Sequence, residues 1–204
     1  MAYSDFTLSS VCRAFDIILQ EGHSLFESIP GTEVPDRLNS FLQRYVPLAT
    51  AINSEKARSE FIIAPVLAEV RELADRQLSL FSGKEFNVDP SLGLTGYCDY
   101  ILCLSPEQLF IKSPVMMVVE AKNENIIGGL GQCLASMVAA QMFNQTEGSQ
   151  VSVIYGAVTS GTNWRFLTLE DKTSSIDSIE YHISQLEKIL SILLLPSKQP
   201  VLSC

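Results

Sequence analysis

Two charged residues interrupt the most apolar stretch of this chain. Glu120 and Lys122 follow the run VMMVV, and their spacing of two places both side chains on one face of a strand, whereas Ala121 points to the other face. Carboxylate oxygens bind hard divalent cations such as Mg²⁺. A neighbouring lysine can position an attacking water or stabilise the charge of a phosphoryl transition state. The pair therefore indicates metal-assisted phosphodiester hydrolysis.

A second acidic residue lies 21 positions earlier. Asp99 interrupts the apolar run YCDYILC, and Gly96 just before it allows the backbone to turn or pack closely at that edge. The spacing suits a hairpin with a moderate loop, which would bring Asp99 beside Glu120. Glu60 is a third acid, on a predicted helix that precedes these strands. Its neighbours are apolar, so we interpret it either as an accessory ligand or as a solvated helix residue.

The surrounding segments predict the elements that position these residues. From Ser54, the segment SEKARSEFIIAPVLAEVRELAD predicts a long helix in which Pro65 produces a kink or removes a hydrogen bond. Strands are predicted at QLSLFSGKEFNVD, YCDYILCLS, VMMVVEAKN, VSVIYGAVTS and NWRFLTLE, and further helices at LGQCLASMVAAQMFNQ and IDSIEYHISQLEKILSILL. This order predicts an α/β fold over residues 54–204, with a mixed β-sheet flanked by helices.

Residues 1–53 predict a helical N-terminal extension that is separable from this domain. A first helix, capped by Ser4 or Thr7, carries an apolar face that extends to Leu19. Pro and Gly residues then break the chain, and a second short helix begins at Asp36 and ends near Pro47. No pattern in this extension indicates chemistry.

The arrangement of an acid on a leading helix, an acid on one strand and an E-x-K motif on the next resembles the PD-(D/E)XK, or restriction-endonuclease-like, nuclease superfamily. The segment SEFIIAPVL looks like the leading-helix signature of several of its families, and Gln132 resembles a glutamine that many members place near the active site. The segment VIYGAVTSGTNWRFL looks like the strand pair in the N-terminal nuclease domain of type I restriction motor subunits. The resemblance covers about residues 54–170.

The resemblance implies Mg²⁺-dependent, or Mn²⁺-dependent, cleavage of DNA. It implies that Asp99 and Glu120 bind the metal together with the backbone carbonyl of Ala121. Lys122 would be the catalytic lysine, Glu60 an accessory acid and Gln132 an orienting residue. The sequence departs from the family pattern in two places, since Cys98 replaces the proline before the aspartate, and Ser136 occupies the position where a tyrosine often follows the glutamine.

Composition bears on location and partners. The 204 residues carry 14 Lys and Arg against 23 Asp and Glu, a formal net charge of −9, and hydrophobic residues make up 47%, so disorder is not expected. The N-terminus has no signal-peptide pattern, no apolar run reaches about 18 residues, and the five cysteines form no CxxC motif. We therefore expect a cytoplasmic protein with buried free thiols and no membrane partner.

The acidity predicts weak, salt-sensitive DNA binding by the isolated chain, and it favours a protein partner or a homodimer that helps to hold DNA. The second hypothesis is a non-catalytic accessory or interaction factor with the same fold, in a defence or mobile-element system. Gly128, Gly129 and Gly131 complete no phosphate-binding motif, so we interpret them as a turn into a helix. Trp164 either stacks on a base or packs in the core, and packing is favoured.

Overall fold

The computed structural model describes residues 1–199 and 202–203 and has an α/β architecture. The helices are α1 (Leu8–Phe15), α2 (Asp36–Ile52), α3 (Glu55–Arg58), α4 (Ala64–Leu73), α5 (Ile126–Thr146) and α6 (Leu186–Leu193). The strands are β1 (Ile18–Gln20), β2 (Ser79–Glu85), β3 (Tyr97–Cys103), β4 (Val115–Ala121), β5 (Ser149–Gln150), β6 (Ile154–Thr159), β7 (Asn163–Glu170), β8 (Thr173–His182) and β9 (Leu202–Ser203).

Seven strands form one mixed sheet in the order β1-β8-β7-β6-β4-β3-β2. Strands β2, β3 and β4 form an antiparallel meander, and β6 then pairs in parallel with β4 after the crossover through α5. Strands β6, β7 and β8 form a second antiparallel meander, and β1 adds to the far edge in parallel with β8. The predicted mixed sheet is confirmed.

Helices cover both faces of the sheet. One core lies beneath α5 and α1 and includes Val118 and Leu134, whereas the other lies beneath α2, α4 and α6 and includes Val119 and Leu190. Adjacent residues of β4 thus point into different cores, as strand geometry requires. Every residue of β4 is buried, so any polar side chain on this strand needs a partner inside the protein.

Helix α5 is long and apolar enough to cross a membrane, but 67% of its most apolar stretch is buried inside the protein. It is nearly as apolar on one side as on the other because the sheet covers one side and the N-terminal segment covers another. Helix α5 is therefore a core helix of the fold.

The final predicted helix is wrong over its first half. Residues 176–182 belong to β8, and the helix is confined to α6. The spacing of Ile179, Ile183 and Leu186 fits a helical period, but β8 is rich in β-branched residues and fills the free edge of β7. Long-range pairing with β7 therefore decided the conformation of this segment.

The N-terminal elements also differ from their predicted bounds. Helix α1, capped by Thr7, ends at Phe15, and the chain passes through Asp16 in the left-handed region before forming β1. Helix α2 does not end at Pro47 but continues to Ile52, since Pro47 lies on its exposed side, where water can hydrogen-bond the carbonyl that loses its partner. Side chains of residues 1–53 enter both cores.

The effect of Pro65 on the leading helix is a widened turn. A π-helical segment, Ser59–Ile63, separates α3 from α4, and the amide of Ala64 donates to the Ser59 carbonyl five residues earlier. In a regular helix the proline ring would clash with the carbonyl four residues before it. The wider turn relieves this clash; it begins at Ser59, so that Glu55 lies before it and Glu60 within it.

Among the described residues, Cys12, Cys98, Cys103 and Cys133 are free thiols, and the last three are buried. Cys204 lies outside the described residues. Trp164 is fully buried, and its indole nitrogen donates to the Gly161 carbonyl at 2.9 Å, so it packs in the core.

Candidate active site

Glu120 is the second-to-last residue of β4 and is fully buried. Its side chain points towards α5, where the amide nitrogen Nε2 of Gln132 donates to Glu120 Oε2 at 2.7 Å. The other carboxylate oxygen, Oε1, is also buried and has no hydrogen-bond partner in the described part of the chain. An orphaned carboxylate oxygen in a protein interior is costly, so this atom calls for a compensating proton, ion or water.

Asp99 lies beside Glu120 at the point where β3 and β4 separate. Tyr100 pairs with Val119 in the last rung of this ladder, so Asp99 and Glu120 come next on the two strands. Asp99 Oδ2 accepts a hydrogen bond from the backbone amide of Ala121 at 2.8 Å, which replaces the missing strand partner and fixes the orientation of the carboxylate. The predicted juxtaposition of Asp99 and Glu120 is therefore present.

Lys122 completes the group immediately after β4. Its ammonium group donates to Gln132 Oε1 at 3.0 Å and lies 4.0 Å from Glu120 Oε2. The Gln132 amide thus bridges the acid and the base, donating to one and accepting from the other. The Lys122 side chain is 23% exposed, so its charged end reaches the surface of the site while Glu120 remains enclosed.

Gly129 leaves room for this lysine. A Cβ atom at Gly129 would lie 2.7 Å from Val158 Cγ1 and 3.0 Å from Lys122 Cε. The predicted turn into α5 is present, because Asn125 caps the helix by accepting from the Gly128 amide at 2.9 Å. The glycines therefore serve close packing at the start of α5.

The electrostatics of the site centre on Glu120. Burial raises the pKa of Glu120 well above its ordinary value, and the neighbouring Asp99 carboxylate raises this pKa further, while Lys122 partly offsets both effects. Glu120 is fully buried and Asp99 partly buried, and the positive charge of Lys122 only partly offsets the rise in the pKa of Glu120. A divalent cation would supply further positive charge and favour the ionised form.

A pocket of about 290 Å³ opens beside Asp99 and Ala121. Its opposite wall is the leading helix, which contributes Glu55, Ser59 and Glu60. Glu60 therefore lies at the predicted site, but its side chain is 54% exposed and forms a 3.0 Å ion pair with Lys56. Glu60 and Asp99 line the same pocket.

Sequence reasoning missed Glu55. It lines the same pocket as Asp99, and its charge contributes to the raised pKa of Glu120. Residues five apart lie about 140° apart around a regular helix, so Glu55 and Glu60 were not expected on one wall. Glu55 is exposed in a short helix before the widened turn, and no pattern in the sequence distinguishes it from a solvated helix residue.

The donor set is suited to a hard cation. Two carboxylates and the Ala121 carbonyl are oxygen donors, and the described residues contain no group of three or more His, Cys, Asp and Glu side chains arranged around one metal position. Mg²⁺ commonly binds through one or two carboxylates and retains several waters, so the small donor number is compatible with this ion. The orphaned Glu120 Oε1 atom meets the same requirement.

No protein-family model matches this chain, and no curated protein is significantly similar to it in sequence. The residues of the site are therefore the main indication of what this protein does.

Proposed function

We propose that this protein is a Mg²⁺-dependent nuclease that hydrolyses DNA phosphodiester bonds and belongs to the PD-(D/E)XK superfamily. One observation carries the proposal: the fully buried Glu120 carboxylate, with an unpartnered oxygen, lies beside Asp99 and is joined through Gln132 to Lys122. Without a ligand here, the protein would keep a fully buried acid beside a partly buried one, with Lys122 as a partial compensation.

Asp99, Glu120 and the backbone carbonyl of Ala121 would hold the metal. Asp99 Oδ2 is engaged by the Ala121 amide, which leaves Oδ1 for a cation, and Glu120 offers Oε1. A bound Mg²⁺, or Mn²⁺ in its place, would polarise the scissile phosphate and lower the pKa of a bound water. Glu60 and Glu55 lie across the pocket and would act as accessory acids.

Lys122 would donate a hydrogen bond to a non-bridging phosphate oxygen and stabilise the negative charge that develops there. Gln132 holds the ammonium group by accepting one of its three N–H bonds, so the other two remain for substrate or water. The same amide fixes Glu120, and Gln132 therefore orients both groups at once.

Free thiols and a core that accommodates the one long apolar helix support an intracellular, cytoplasmic setting for this nuclease. DNA is the proposed substrate, and the net charge of −9 implies that the isolated chain binds it weakly. A protein partner or a second copy of the chain would supply the missing basic surface.

The deciding experiment measures cleavage of supercoiled, linear and single-stranded DNA with Mg²⁺, comparing wild type with Lys122→Ala. We expect loss of cleavage by at least about 100-fold in the variant, because transition-state charge loses a donor. Lys172→Ala is the matched control, since Lys172 is exposed and lies at the turn before β8. Unchanged activity of Lys122→Ala would contradict the assigned mechanism.

A Mn²⁺ titration separates the two hypotheses. The nuclease requires that Asp99→Ala and Glu120→Ala each weaken Mn²⁺ binding. A wild type that binds Mn²⁺ but cleaves none of the three DNA forms would favour the non-catalytic accessory factor. If neither substitution weakens binding, the metal site is wrongly assigned.

A further inference from the structure

The Tyr100 side chain joins the two walls of the pocket that opens beside Asp99 and Ala121. Tyr100 is 2% exposed and directly follows Asp99 on β3. Its phenol donates to the backbone carbonyl of Ser59 at 3.1 Å and lies 2.5 Å from the Ser59 hydroxyl oxygen. Ser59 is the first residue of the π-helical segment on the opposite wall.

We propose that Tyr100 and Ser59 are positioning residues that set the separation between Asp99 and the acids of the leading helix, and so control cation affinity in the pocket. The inference rests on the proposed metal-dependent function. Neither residue is assigned to the metal itself.

The backbone of the widened turn explains why this contact matters. The Ser59 carbonyl accepts from the Ala64 amide as well as from the Tyr100 phenol. The phenol therefore stabilises a turn whose hydrogen bonding is looser than that of a regular helix. Glu60 follows Ser59 directly and Glu55 lies one turn before it, so movement of Ser59 would move both acids relative to Asp99.

A second anchor holds the same helix from its other side. Arg58 is buried, and its guanidinium donates to the Ser160 carbonyl at 3.1 Å and to the Thr162 hydroxyl at 3.3 Å, in the turn after β6. This anchor restricts the helix as a whole and would preserve its position on the sheet. Loss of the Tyr100 hydroxyl should therefore alter the pocket while the fold is retained.

The experiment measures Mn²⁺ affinity by electron paramagnetic resonance, and the melting temperature of each variant without metal. Tyr100→Phe should bind Mn²⁺ about tenfold or more weakly than wild type, which is the usual effect of removing a group that orients metal ligands. Tyr181→Phe is the matched control, because Tyr181 is equally buried and its hydroxyl donates to Asp177 at 3.0 Å in the core below β8. Its Mn²⁺ affinity should equal that of wild type.

Ser59→Ala provides a second route to the same answer. This variant keeps the carbonyl contact and loses the hydroxyl, so its Mn²⁺ affinity should fall less than that of Tyr100→Phe. The double variant should lose less than the product of the two single effects, because both substitutions remove one shared interaction. Should Tyr100→Phe fail to fold, a Ser59→Ala protein with wild-type affinity overturns the proposal.

The remaining outcomes distinguish this inference from the proposed function. If Asp99→Ala loses Mn²⁺ and a folded Tyr100→Phe does not, the inference is wrong and the metal site stands. Equal losses in Tyr100→Phe and Tyr181→Phe would indicate general destabilisation and overturn the positioning role. If Asp99→Ala retains full affinity, the proposed function fails and the inference fails with it.

Discussion

Glu120 is held in a place that favours its neutral form. Burial and the adjacent Asp99 raise its pKa, and only Gln132 and Lys122 offset the cost of ionising it. Such a residue lowers the stability of the protein at neutral pH, and the proposed metal would offset this cost. The effect of Glu120 on the stability of the protein can therefore be tested without substrate.

The first prediction concerns Glu120→Gln in the absence of metal. Below about pH 4.5, the ordinary value, this carboxyl is protonated in both the folded and the unfolded chain. As the pH rises, the unfolded chain ionises first, so the wild type loses stability until the pH passes the raised folded pKa. The stability of Glu120→Gln relative to wild type should therefore increase with pH, by up to about 1.4 kcal/mol per unit.

Urea unfolding between pH 4.5 and 7.5 in a chelator would measure this difference. Glu85→Gln is the control, because Glu85 is exposed at the end of β2. A stability difference between Glu120→Gln and wild type that does not change with pH would show that the buried carboxyl does not titrate as the structure implies.

At the scale of elements, α5 connects the site to the N-terminal segment. The same helix carries Gln132 and approaches Lys122 through Gly129, and two residues later Gly131 meets the backbone of the segment before α1. A Cβ at Gly131 would lie 2.4 Å from the Thr7 carbonyl carbon and 2.5 Å from the Phe6 carbonyl oxygen. Gly129 thus permits the close approach of the Lys122 side chain, and Gly131 permits that of the backbone at Phe6 and Thr7.

The second prediction compares Gly129→Ala with Gly131→Ala. Both should destabilise the protein by roughly 1–3 kcal/mol through overpacking, reduced by up to about 1 kcal/mol from the better helix propensity of alanine. Only Gly129→Ala displaces Lys122, so only this variant should lower the cleavage rate under conditions in which both variants are folded. Urea unfolding and single-turnover cleavage measure the two effects. Equal losses of cleavage would contradict the separate roles of the two glycines.

At the scale of the whole molecule, the net charge of −9 opposes DNA binding, whereas the proposed reaction would require DNA to approach two carboxylates. A cation in the pocket, or the removal of one carboxylate, reduces that repulsion. The charge therefore predicts that divalent ions promote substrate binding as well as chemistry.

The third prediction is that Asp99→Asn binds a DNA duplex more tightly than wild type in a chelator, and that Ca²⁺ raises the affinity of wild type but not of this variant. Fluorescence anisotropy at several salt concentrations would measure it, with affinity falling as salt increases. Asp171→Asn removes the same charge at the opposite end of the sheet, where asparagine also tolerates the positive φ of 48°. If Asp171→Asn gains as much affinity as Asp99→Asn, net charge rather than the pocket controls binding.

The fourth prediction concerns residues 1–53 as part of the whole molecule. They bury eight apolar side chains in the two cores: Tyr3, Phe6, Val11, Ile17, Phe26, Leu38, Leu42 and Ala49. At about 1.5–3 kcal/mol for each larger side chain, their burial contributes as much as, or more than, the usual net stability of about 5–15 kcal/mol. A chain of residues 54–204 should therefore lack a cooperative thermal transition by circular dichroism. A cooperative transition near the wild-type melting temperature would show that this unit folds alone.

Local sequence was sufficient to predict β4, at whose end Glu120 and Lys122 lie, and the neighbouring strand that carries Asp99. Glu120 and Lys122 interrupt an apolar run, and Asp99 interrupts another, so alternation along each strand places them without knowledge of distant residues. The α/β order of elements from Ser54 to Glu170 follows from patterns of the same short range.

The amino-acid sequence by itself thus determined which groups are available for chemistry at the end of β4. Only the tertiary structure decided that residues 176–182 form a strand, that Ile18–Gln20 joins the sheet, and that Glu55 faces the pocket. The physical reason is that a short segment with both helical and strand character adopts the form its distant neighbours can pair or cover. Glu55 reaches the pocket because the fold packs its helix against the end of β3, where the Tyr100 phenol contacts Ser59.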